Sequence, residues 1–248
     1  MRLFGMFARS LVPDETQDWI FGNFEWAIDR KYLTSETPMV LPTRDFFPSK
    51  IGKSPEAVQA VVNDIARLLG LADRQIEVAP LDVLPGEYRH SYQQLGQTAG
   101  TWQADENTAL IRYDPELASR PLVLIATLVH ELIHEKLSWT PEQPPGGPAV
   151  HELATDLHCI TCGFGVIAMN AAEEIGWQGY MRQPSRAHAL AIFILMRGLP
   201  AHNIMAALAP RSRKYLKASL AHLAAQDEIA TLRTRLQGQS LMAGGSAI

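Results

Sequence analysis

Residues 128–137 read LVHELIHEKL, two histidines four apart with a glutamate directly after the first. On an α-helix, positions i and i+4 stand on one face a turn apart. His130 and His134 can therefore turn imidazole nitrogens toward a single ion. Glu131 falls on a different azimuth, beside such an ion and not on it, where a carboxylate can take a proton from an attacking water. The same letters also suit a helix with a few exposed polar positions, so the choice depends on whether a third ligand lies further along the chain.

The next informative stretch is HELATDL, 151–157. A catalytic zinc site takes three protein ligands and keeps a position open for water, and the third is commonly His or Glu from a neighbouring helix. Glu152 and Asp156 are again four apart on one helical face. Glu152 is expected to complete the ligand set, with the adjacent His151 as the rival donor. Asp156 is expected to accept the outer N–H of a ligand histidine, which fixes its tautomer and strengthens it as a donor. Carboxylates on a helix otherwise built from Leu153, Ala154, Leu157 and Ile160 are costly to bury without such partners.

HELIH at 130–134 followed by ELATD at 152–156 resembles the gluzincin group of zinc peptidases, in which a glutamate ligand and, four residues later, a supporting aspartate follow HExxH on the next helix. A narrower resemblance is to a family of bacterial proteins with HExxH, then ExxTDL and GFG, then GY and an ALA-rich helix. Here those pieces are Glu152–Leu157, Gly163-Phe-Gly165, Gly179-Tyr180 and Ala189-Leu-Ala191. The resemblance implies a minimal zincin-like fold and a Zn2+ cofactor. It also implies that the strand TALIRYD is a sheet edge along which an extended peptide lies. Finally, it implies a tyrosine or histidine donor to the developing oxyanion. Tyr180 and His188 are the candidates for that last role.

The rest of the chain fits around this pair of motifs. A length of 248 residues, 47% of them hydrophobic and 19% charged, supports a substantial core, and one domain over 1–236 is expected. The net charge of −4 gives no reason to expect nucleic acid as a partner. A peptide or protein substrate is expected instead. Arg9 and Ser10 break the apolar start before a signal-peptide core forms. The apolar runs PLVLIATLV and ALAIFILM fall short of the roughly 20 residues that span a membrane. With Cys159 and Cys162 as the sole cysteines, the expectation is a cytoplasmic protein without a disulfide framework.

Period and punctuation predict a helix after Pro13 with Asp14 as cap, and a loop through MVLPTRDFFPSK. Ser54, Pro55 and a terminal Gly70 bound a second helix. A strand is expected at QIEVAPL and two more at 99–103 and 108–113, joined by a polar turn at Ala104 to Asn107. Helices follow at 121–138, from about 149 to 174, and at 185–198, 201–208 and 212–236, with a flexible tail at 237–248. Helices, a small sheet and helices again make a mainly helical α+β fold. The function expected is a zinc-dependent hydrolase, most simply a peptidase. The alternative is a non-catalytic zinc-containing binding or regulatory protein that keeps the site.

Overall fold

A computed structural model describes residues 10–81, 100–104, 108–176 and 179–244. The fold is mainly helical α+β with one three-stranded sheet, and the chain contacts divide it into two units: 41–142, and 1–40 with 143–248.

In the 41–142 unit, helix α2 (Pro55–Leu69) carries the ends its sequence demands. Ser54 accepts from the Ala57 N–H at 3.3 Å, Pro55 takes the first helical position, and Gly70 ends the helix at φ +71°. Strand β1 (Gln75–Pro80) comes next, bracketed by Gln59 of α2. Its side-chain amide donates to the Ile76 carbonyl and accepts from the Val78 N–H, both at 2.9 Å. Strands β2 (Gly100–Ala104) and β3 (Thr108–Tyr113) pair antiparallel, while β1 and β3 pair parallel.

The order β1-β3-β2 puts β3 in the middle. TALIRYD is therefore not the expected sheet edge: both flanks of its backbone are already hydrogen-bonded. Its Ala109, Ile111 and Tyr113 alternate inward and are buried. Helix α3 (Pro121–Ser138) packs on β2, β3 and α2. Most of the turn expected at Ala104 to Asn107, namely 105–107, lies outside the described residues, as does the apolar start at 1–9.

The other unit is helical. Helix α1 (Asp14–Asp29) has Pro13 at its cap position, so Asp14 is the first helical residue and not the cap; its carboxylate instead accepts from the Gln17 side chain at 3.1 Å. The long helix expected from about 149 to 174 is interrupted. Helix α4 (His151–Cys159) passes into a π-type turn at Ile160–Phe164 and continues as α5 (Gly165–Glu174). Gly163 sits at φ +95°, and a Cβ there would lie 2.0 Å from the Pro38 carbonyl oxygen. Its own carbonyl accepts from the Val40 N–H at 2.9 Å. Only glycine lets the backbone of the 38–40 loop come this close.

Helix α6 (Gln183–Arg197) is buried along almost its whole length and packs on α5, α8 (Pro210–Leu223) and α9 (Asp227–Gly244). The short α7 (Ala201–Ala206) precedes α8. The single helix expected over 212–236 is thus two, separated at 224–226, and α9 runs on through Gly244 into the segment expected to be a tail. One stretch among the described residues, Pro148–Glu174, is long and apolar enough to cross a membrane, but 83% of its apolar window is buried in the protein.

This core contains two neutral histidines. His158 is fully buried against Trp26, and burial pushes its pKa down to about 3. His188, buried between Phe21 and His222, is pushed down to about 4, first by burial and then by His222. Unfolded, each would take a proton near pH 6.5. The unfolded chain therefore binds more protons between that pH and the folded values, and stability falls as pH drops through this window. In chelator-treated protein the free energy of unfolding is expected to fall by about 2 kcal/mol per histidine between pH 7 and 5. Urea unfolding at the two pH values checks this, and His158→Gln or His188→Phe should remove its own share of the slope.

Candidate metal centre

Helix α3 starts on Pro121 and is apolar for two and a half turns before the motif arrives. From Glu131 to Glu135 every residue is buried, and His130 is half-buried, so the motif does not occupy an exposed face. The Nε2 atoms of His130 and His134 approach to 3.1 Å with their rings nearly perpendicular, at 80°. Two nitrogens each bonded to one tetrahedral zinc would stand about 3.3 Å apart, so the pair fits that ion.

His130, His134 and Glu152 form a group that can hold a metal ion, with one ligand atom of each within 4.8 Å of the others. Two imidazoles and a carboxylate are a donor set suited to zinc. His151, the rival donor, is the first residue of α4 and is not part of this group.

Glu131 is 6% exposed. The residue above it is Gly100, the first of β2, where a Cβ would lie 2.9 Å from Glu131 Oε1 and 2.9 Å from Thr127 Cγ2. A glycine here lets the strand backbone lie directly on the glutamate, a close approach that no other residue permits without displacement.

Asp156 has a role that spacing did not suggest. One of its oxygens, Oδ2, accepts from the backbone N–H groups of Tyr180 at 2.9 Å and Met181 at 2.8 Å, and from Arg186 Nη2 at 2.8 Å. Gly179 completes the turn at φ +112°, and a Cβ on it would lie 2.2 Å from Arg186 Nη2. Asp156 thus anchors the Gly179–Met181 turn and leaves the Tyr180 side chain 61% exposed. His188, the other candidate oxyanion donor, is 1% exposed in the helical core, and its Nε2 has no hydrogen-bond partner among the described residues. The metal-holding group includes neither Tyr180 nor His188.

Glu135 is the residue that motif reading passed over. Fully buried, it accepts from Arg74 Nε at 2.6 Å and Trp139 Nε1 at 2.8 Å on one oxygen, and from Trp102 Nε1 at 2.8 Å on the other. Arg74 also lies 4.5 Å over the Trp139 ring. A carboxylate next to the motif on so apolar a helix signals that partners exist. Their identities, drawn from positions 74, 102 and 139, emerge only in the folded chain.

The contact at Gly100 gives a direct check. Gly100→Ala is expected to destabilise the fold by about 1–3 kcal/mol through overpacking. The loss should shrink in a Glu131→Ala background, where one of the two close contacts is gone. Urea midpoints of the four proteins in this cycle measure it, and equal losses in both backgrounds would place the strain elsewhere.

Comparison with protein-family models, with curated proteins and with solved structures finds no match to this chain. The functional reading accordingly rests on the residues and their geometry.

Proposed function

We propose that this protein is a zinc-dependent hydrolase that cleaves peptide bonds. The observation that carries the reading is the His130, His134 and Glu152 group, with the buried Glu131 adjoining it in sequence. Three protein donors, and not four, among the described residues favour a catalytic site, which keeps a position for water, over a structural one, which closes. Zinc, when bound, polarises the substrate carbonyl and makes water acidic enough to act as a nucleophile near neutral pH.

The chain's own groups then have distinct tasks. His130 and His134 would hold the ion, and Glu152 would supply the anionic third ligand. Glu131 takes the proton of the attacking water on its carboxylate and passes it to the leaving amine. Gly100, by admitting β2 so close, keeps that carboxylate in one orientation. The turn held by Asp156 carries Tyr180 at the surface.

Purified protein is expected to carry near-stoichiometric zinc by elemental analysis, lost in Glu152→Ala and retained in His151→Ala. Glu131→Gln should keep the zinc and lower hydrolysis of a peptide library by about 10²–10⁴-fold. Zinc lost with His151 in place of Glu152 would point to a closed, non-catalytic site. Unchanged hydrolysis in Glu131→Gln would remove that residue as the base.

A further inference from the structure

Two aromatic rings among the described residues neighbour that of His134. One is His130, nearly perpendicular to it at 4.8 Å between centroids; the other is Trp102, nearly parallel at 20° and 6.2 Å. His134 is 8% exposed, so these planes leave its imidazole little freedom to rotate. What fixes Trp102 is Glu135, the residue directly after His134, through the bond from the indole N–H. Glu135 in turn is fixed by Arg74 and Trp139, and Arg74 also donates to the Thr108 carbonyl at 3.3 Å.

The contacts form a closed circuit: from His134 across to the indole of β2, from the indole to Glu135, and back to α3 one residue along. A fully buried carboxylate with fewer donors would be strongly destabilising, so the circuit favours being assembled complete.

We propose that Trp102 and Glu135 are positioning residues for the metal centre, with Glu135 locking the indole and the indole holding the His134 imidazole in its ligating orientation. This rests on the proposed zinc site and adds to it a point of control over metal affinity outside the ligand set. Trp139 serves as the internal control. It donates to the same carboxylate from just past the α3 C-terminus, whereas among the described residues the rings against His134 are those of His130 and Trp102.

The test is Co2+ titration, followed by absorption and by tryptophan fluorescence, of wild type, Trp102→Leu, Trp102→Phe and Trp139→Phe. Urea unfolding of each metal-free protein runs in parallel. All three variants lose a donor to Glu135 and should unfold at lower urea. Trp102→Leu, which also removes the aromatic plane, should weaken Co2+ binding most, by about 10–100-fold, the range for losing an outer support of a metal ligand. Trp102→Phe keeps a plane but no N–H and should fall between Trp102→Leu and wild type, and Trp139→Phe should bind as wild type does. Co2+ should quench wild-type fluorescence, with most of the quenching absent in Trp102→Phe. Equal affinity in wild type and Trp102→Leu, or equal weakening in Trp139→Phe, overturns the positioning role while leaving the zinc site intact. Wild type that binds no Co2+ overturns both.

Discussion

Helix α3 is largely buried, yet its last turns bury the polar side chains of Glu131, His134 and Glu135, with His130 half-buried beside them. Polar groups taken out of water must find partners inside the fold, and ionised ones most of all. Much of the 41–142 unit is arranged to meet that demand. Trp102, Arg74 and Trp139 converge on Glu135. The backbone at Gly100 comes down onto Glu131. The two imidazoles bring their Nε2 atoms to 3.1 Å of one another. Packing and chemistry are coupled here because the same side chains answer to both.

A similar logic orders the helical unit. Asp156 gathers three donors on one oxygen and so closes the Gly179–Met181 turn. Gly163 accepts a close approach by the Pro38 carbonyl that breaks the long helix into α4 and α5. His158 and His188 take a different course: they stay uncharged inside an apolar core and make the fold sensitive to acid. Buried polar residues in this chain are thus of two kinds, those paired tightly enough to organise a segment and those tolerated in neutral form.

Much of this was legible from residue order, because it depends on interactions within a few positions. Helical spacing alone placed His130 and His134 on one face, and the glutamate of ELATD pointed to the residue that joins them in a group able to hold a metal ion. Ser54, Pro55 and Gly70 bounded α2 through local capping, and the alternation in TALIRY marked a strand. The mainly helical α+β class came from the order of these elements.

What remained was decided by contacts between distant positions. Strand β3 is central and not an edge because β1, some thirty residues earlier, pairs alongside it, and no local pattern encodes a neighbour. The interruption at Gly163 coincides with a close approach by the Pro38 carbonyl from a loop far away in sequence. Asp156 reads from spacing as a support for a histidine, whereas one of its oxygens is committed to a turn more than twenty residues on. Glu135 has partners at 74, 102 and 139 that only the tertiary fold brings together. Sequence determined which groups could do chemistry, since that depends on residue type and helical period. The tertiary structure decided how those groups are held, since burying a charge requires donors from wherever the chain can bring them.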